Sequence, residues 1–109
     1  MAITQAVCDS FKVELLQGEH DFRASGGDAF KLALYTDSAT LSNTTTAFTT
    51  SNEVSASGTY ASGGGALTNS GAAGSGATAF IDFSDLSFTS ATISAQAAVI
   101  YNSNTSATT

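Results

Sequence analysis

The stretch from Ala77 to Tyr101, ATAFIDFSDLSFTSATISAQAAVIY, contains two runs in which apolar and polar residues alternate. In the first, Ala77, Ala79, Ile81 and Phe83 fall on one side, and Thr78, Phe80 and Asp82 on the other. In the second, Ile93, Ala95, Ala97, Val99 and Tyr101 oppose Thr92, Ser94, Gln96, Ala98 and Ile100. Side chains of a strand alternate between faces with period two, so each run reads as a β-strand turning one apolar face to a core. The rest of the chain must supply the other side of that core.

A third alternating segment, Ala29 to Thr36, sets Phe30, Leu32 and Leu34 against Lys31, Ala33 and Tyr35 before Asp37-Ser38 closes it. The expected core is therefore Phe30, Leu32, Leu34, Ile81, Phe83, Ile93 and Val99. Only residues 3–17 carry a helical period: Ile3, Val7, Phe11 and Leu15 recur every fourth residue, and Leu16 widens the stripe. Thr4 is the expected N-cap and Gly18 the expected stop, with Lys12, Glu14 and Gln17 facing water. This helix either covers one end of a β-sandwich, through Phe11 and Leu15, or docks on a neighbouring subunit.

The connections are read from turn chemistry. Glu19 to Phe22 starts a short strand, and Arg23 to Asp28 is a turn around Gly26-Gly27. Residues 39–57 are rich in Ser and Thr, with Leu41, Phe48 and Val54 as the only large apolar anchors. They read as an exposed extended loop with a short strand near Ser51–Val54. Gly58 to Thr68 reads as a hairpin or bulged strand pair around Gly63-Gly64-Gly65, and Asn69 to Gly76 as a flexible turn. At 109 residues the chain is one domain, residues 1–18 a helix and 19–109 a β-sandwich.

Only 11% of residues are charged, with three basic against nine acidic for a net charge of −6. A typical domain carries ~25% charged residues. Hydroxyls and amides supply the polarity, so pressing this surface against another protein desolvates few charges. Lys12, Arg23 and Lys31 form no basic patch, which argues against nucleic-acid partners and against an anionic membrane surface. Cys8 is the only cysteine, so neither an internal disulfide nor a zinc cluster is expected. It reads as a small, partly buried residue rather than a reactive thiol. Residues 1–18 carry Asp9 and Glu14 and do not resemble a signal peptide, and no run reaches the ~20 apolar residues of a membrane span. A soluble protein made in a cytoplasm is expected.

Candidate chemistry is sparse. His20 stands between Glu19 and Asp21, but adjacent residues on an extended chain point opposite ways and rarely chelate one ion, so a solvated turn is expected. Asp82 and Asp85 form a carboxylate pair that could do acid–base work or meet calcium. Calcium needs more oxygen ligands than lie nearby, and solvated aspartates at a strand edge are expected. Neither glycine cluster ends in the Lys-Ser/Thr of a phosphate loop, and no G-x-S-x-G elbow exists. No catalytic, cofactor or metal residues are assigned. Asn43-Thr44-Thr45 and Asn104-Thr105-Ser106 match the glycosylation pattern by chance.

The segments MAITQAVCDSFKVELLQGEHDF, FKLALYTDSATL, TSNEVSASGTYASGGGALT and AFIDFSDLSFTSATISAQAAVIYNS follow one another in this order. So arranged, the chain resembles a family of small virion structural proteins of tailed bacteriophages, common in marine and cyanobacterial phages. The opening segment and FKLALYT are its most specific parts. Members of that family run on past the AxIYNS segment into further strands, whereas this chain stops at Thr109, so further strands are expected beyond it. The resemblance implies a non-enzymatic, homo-oligomeric virion protein with a jelly-roll-like β-sandwich. It would be made in the bacterial cytoplasm and partnered by the major capsid protein or other virion proteins. Three roles are weighed: a capsid decoration or cement protein, a tail, collar or fibre component touching a host receptor, and a small cell-wall hydrolase. Interface contacts are expected from the helix and from the loops over 39–57 and 58–76, with Val7, Phe11, Leu15, Phe48 and Tyr60 as candidates. A receptor binder would offer Phe48 and Tyr60 for sugar stacking, and an enzyme would depend on His20, Asp82 or Asp85.

Overall fold

The computed structural model describes residues 2–3, by their backbone, and residues 6–104. The fold is mainly β, with one short helix. Its centre is an antiparallel sheet of β2 (Phe30–Tyr35), β4 (Gly65–Leu67) and β7 (Ala97–Asn102), in the order β4-β2-β7. An antiparallel ribbon joins β5 (Asn69–Ser75) to β6 (Thr78–Phe83). A short parallel pair joins β1 (Ala2–Ile3) to β3 (Thr40–Leu41). No helix among the described residues is long and apolar enough to cross a membrane.

The central sheet covers both faces of β2, Phe30 being buried on the expected face and Ala33 and Tyr35 on the other. The register sets Lys31 opposite Tyr101, Ala33 opposite Val99 and Tyr35 opposite Ala97, which puts these residues on one face. Ala33, Tyr35 and Tyr101 are buried there, with Ala39 and Leu41, and Phe48 stacks on Tyr101 at 4.4 Å. Leu32 and Leu34, expected in the core, lie on the other face and are only half-buried; so are Ile81, Phe83, Ile93 and Val99. Of the expected set only Phe30 is fully buried. Tyrosine decides the face: its ring buries large apolar area and its hydroxyl can reach a partner at the rim, which leucine cannot do.

All three tyrosines of the chain use that property. Tyr35 donates to the Thr49 carbonyl at 2.7 Å, and Tyr101 donates to the Gly63 carbonyl at 2.6 Å. Tyr60 donates to Glu53 Oε2 at 2.7 Å while accepting the Leu34 amide at 2.8 Å. The same Glu53 oxygen accepts the Gly63 amide at 2.7 Å. The Ser/Thr-rich stretch, poor in apolar anchors, is thereby fastened to the sheet at Thr49, Glu53 and Gly63.

Glycine packing explains the middle of the chain. Residues 63–65 are not a hairpin tip. Gly64 has φ 87°, and a Cβ there would fall on the Leu32 carbonyl; a Cβ on Gly65 would meet the Phe88 ring at 2.9 Å. The run slips under neighbouring structure and delivers β4 to β2. The expected flexible turn at 69–76 is instead strand β5, closed onto β6 by Gly76-Ala77 with Gly76 at φ 60°. A glycine at the first position of a two-residue turn matches the right-handed twist of a hairpin. The strand expected from Ile93 begins only at Ala97. Upstream of it the Thr89 amide donates to Thr59 Oγ1 at 2.7 Å, the Thr59 amide to the Thr89 carbonyl at 3.0 Å, and the Thr92 amide to Ser57 Oγ at 2.9 Å. These hydrogen bonds hold the 89–92 segment against residues 57–59 instead of against the sheet.

The helix α1 runs Asp9–Leu16, shorter than the expected 3–17, and Cys8 occupies the N-cap position without a side-chain cap. Thr4, the expected cap, lies outside the described residues. Gly18 does stop the helix. It takes φ 76°, its amide donates to the Leu15 carbonyl at 3.2 Å, and the Glu19 amide donates to the Glu14 carbonyl at 3.0 Å, which is the Schellman pattern. Glu19–Phe22 forms no strand.

Two expected outcomes follow from these contacts. Gly64→Ala should cost more than ~2 kcal/mol, and Gly76→Ala, at an open positive-φ turn, about 1 kcal/mol. Thermal unfolding of the two variants checks the order. Burial raises all three tyrosine pKa values above the ordinary 10.0, and the Glu53 carboxylate adds to the rise at each. Their stabilisation is complete below about pH 10 and is lost as pH climbs past it. At about pH 11 the folded chain should show less phenolate absorbance than the urea-unfolded chain.

Candidate functional site

A cavity of about 400 Å³ lies beside β7. Ala98 to Asn102 all line it, although successive residues of a strand point to opposite faces. It therefore runs along the outer edge of β7 rather than over one face. On the side of Val99 and Tyr101 it is bounded by Leu41, Ser42 and Thr45, with Ala6, Val7 and Cys8 beside them. On the side of Ile100 it is bounded by Phe22, Phe30, Ile81 and Phe83. No Asp, Glu, Lys or Arg is in the lining.

Among the described residues the outer edge of β7 is unpaired. The Ser103 amide donates to the Ala29 carbonyl at 2.8 Å. Hydrogen-bonding direction alternates along an antiparallel strand, so Val99 and Tyr101 also face β2 with their backbone groups. The amides and carbonyls of Ala98, Ile100 and Asn102 point outward into the cleft, where no described strand pairs with them.

One wall is strapped in place by a two-way link. The Asp9 amide donates to the Asn43 carbonyl at 2.8 Å, and Asn43 Nδ2 donates to Asp9 Oδ2 at 2.9 Å. The Cys8 thiol donates weakly to the Ser42 carbonyl at 3.9 Å. The other wall is aromatic. Phe22 stacks on Phe30 at 4.6 Å, Phe83 packs on Phe30 at 5.8 Å, and Phe11 meets His20 at 4.7 Å and Phe22 edge-on at 6.2 Å.

A polar chain closes one end. Asn102 Oδ1 accepts the Asn104 amide at 2.9 Å, which turns Nδ2 toward His20 Nδ1 at 3.0 Å and Asp28 Oδ2 at 2.7 Å. Nδ1 of His20 is thus an acceptor, its proton sits on Nε2, and that nitrogen donates to Glu14 Oε1 at 3.1 Å. Asp28 Oδ2 also accepts the Asp21 amide at 2.9 Å. Both imidazole nitrogens are engaged, so His20 holds α1, the 19–28 turn and the end of β7 together. The solvated turn expected for it is overturned: it is buried, and Glu14, expected to face water, is turned in as its partner. Asp21 does stay at the surface, where its hydrogen bonds from Arg23 lower its pKa from 3.8 to about 2.

The expected contact residues do not converge. Val7 and Phe11 line the cleft, Val7 at its exposed rim. Leu15 is exposed outside it, and Leu16 beside it is 92% exposed. Phe48 is half-buried against Tyr101, and Tyr60 is 1% exposed, so its ring is not available to a partner in the folded chain. Asp82 and Asp85 are both exposed. No group of three or more His, Cys, Asp or Glu is placed to hold a metal among the described residues. The β7 edge and the Asn102 network were missed, though a polar Asn directly after an apolar strand could have marked the latter.

No family model matches the chain, and no match is found among curated proteins or solved structures.

The network yields an expected outcome. Asn102→Ala leaves His20 Nδ1 and Asp28 Oδ2 without their buried donor and should cost about 2–3 kcal/mol. Ser103→Ala, which removes a surface hydroxyl bonded to the Ala29 carbonyl at 2.9 Å, should cost well under half of that. Urea unfolding midpoints of the two variants check this.

Proposed function

We propose that this protein is a non-enzymatic structural component of a tailed-phage virion, a capsid decoration or cement protein that bridges neighbouring major capsid subunits. The observation that carries the reading is the open β7 edge over an apolar cleft whose lining holds no Asp, Glu, Lys or Arg. An unpaired strand edge is a template for another chain, and monomeric proteins generally blunt or cover theirs. Contact at this surface desolvates no charge. The resemblance of the opening segment and of FKLALYT to small phage virion proteins supplies the setting. In that setting, contacts repeated at every equivalent position add buried area across the joints of a shell.

The finer fold expectation, a jelly-roll-type sandwich, belongs to this reading. Its support is the Phe30–Phe83 contact, which sets the central sheet against the β5–β6 ribbon. Two observations weigh against the other roles. Sugar stacking by a tail or fibre component would use Phe48 and Tyr60, and both rings are committed inside the fold. The hydrolase reading leaned in part on His20, and both of its ring nitrogens are engaged.

Quantitative mass spectrometry of intact particles and of separated tails tests the role. The protein should be found with heads, at a fixed simple ratio to the major capsid protein, and should be missing from tails. Recovery with tails alone overturns the cement role.

A further inference from the structure

We infer that copies of this chain join head to tail, the tip of the β5–β6 hairpin of one copy adding as a strand to the open β7 edge of the next. The cleft fixes what can enter. Its floor offers the outward amides and carbonyls of Ala98, Ile100 and Asn102, and its walls rise on both sides of that edge. The β7 edge of a second copy lies between walls of its own, so two such edges cannot meet flush. The occupant has to be a slender extended segment that stands clear of its own body.

The chain carries such a segment. Every residue from 72 to 80 is exposed, and β5 and β6 pair with each other and with no other described strand. A two-stranded ribbon on its own is marginally stable in water, so this tip gains from a third strand. Its side chains are those of Ala72, Ala73, Gly74, Ser75, Gly76 and Ala77, narrow enough for a slot, and Phe80, 49% exposed, supplies one large apolar anchor. Strand addition draws its affinity from main-chain hydrogen bonds, which suits a tip with so little side chain.

Charge points to the same pairing. Copies of a chain with a net charge of −6 repel one another. Residues 54–81 contain no charged side chain, and neither does the cleft lining, so tip and cleft are the two surfaces that can meet without confronting like charges. Tip and cleft are different patches of one molecule. The contact is therefore heterologous and either closes into a ring or runs on as an open array. This goes beyond the virion role, because it holds or fails for the purified chain with no capsid present.

Sedimentation velocity on the purified full chain over a range of concentrations is the test. The wild type should self-associate. Ile100→Pro removes one outward amide and no hydrogen bond to β2, the position at which an edge strand tolerates proline. Ala73→Asp places a charge on the exposed tip. Each variant alone should be monomeric. An equimolar mixture should form a one-to-one pair and nothing larger, because one intact cleft then meets one intact tip. Circular dichroism confirms folding of each variant, and Ile100→Asp replaces Ile100→Pro if the proline variant unfolds. A wild type that stays monomeric to its solubility limit overturns the inference. So does association that survives both substitutions, or a mixture that fails to pair.

Discussion

The hydroxyl groups of three tyrosines hold this small domain together. Tyr35 and Tyr101 stand on the sheet and reach the loop carbonyls of Thr49 and Gly63, while Tyr60 reaches from a loop to the Leu34 amide of β2 and to the Glu53 carboxylate. A buried hydrogen bond contributes only about 1 kcal/mol net, but leaving one of these loop groups unpartnered costs more than making the bond gains. The stretch from Ser42 to Ser62 has few large apolar side chains. Without the tyrosines, little would hold it against the cost of ordering its backbone, about 1–2 kcal/mol per residue.

The opposite end works by a different principle. There Phe11, Phe22 and Phe30 lie around a buried imidazole whose two nitrogens are both satisfied, and Phe83 packs on Phe30. A half-satisfied buried network destabilises more than an apolar core would, so the Glu14–His20–Asn102–Asp28 chain stands or falls as a unit. It ties elements distant in sequence, α1, the 19–28 turn and the end of β7. The outer side of β7 is left uncovered while its inner side is fixed.

Much of the architecture was readable from the chain alone. Alternation located β2 and β6, Ile81 and Phe83 form the less exposed side of β6 though only half-buried, and Gly18 marked the helix stop with the expected geometry. The misreadings share a cause. In β2 the leucines looked apolar and the tyrosine amphipathic, yet the buried face is the one with Ala33 and Tyr35, because partners for a phenol hydroxyl lie on loops that local pattern does not show. Strand β5, NSGAAGS, has no β-branched residue and reads as a turn; only its pairing with β6 makes it a strand. His20 looked solvated because its partners Glu14 and Asn102 come from a helix and a distant strand. The β7 edge was not legible, because which backbone groups are free depends on register.

The pairing of β2 with β7 also sets an order of events in time. Strand β7 pairs with β2, far from it along the chain, and such non-local closure is slow compared with a local hairpin. The β5–β6 ribbon, with its two-residue turn, can form on the microsecond scale as soon as it emerges from the ribosome. Tyr35 and the loops it holds must wait until Ala97–Asn102 has been translated. During synthesis the chain is thus a preformed arm attached to an unfinished body, and the last described strand to emerge completes the sheet.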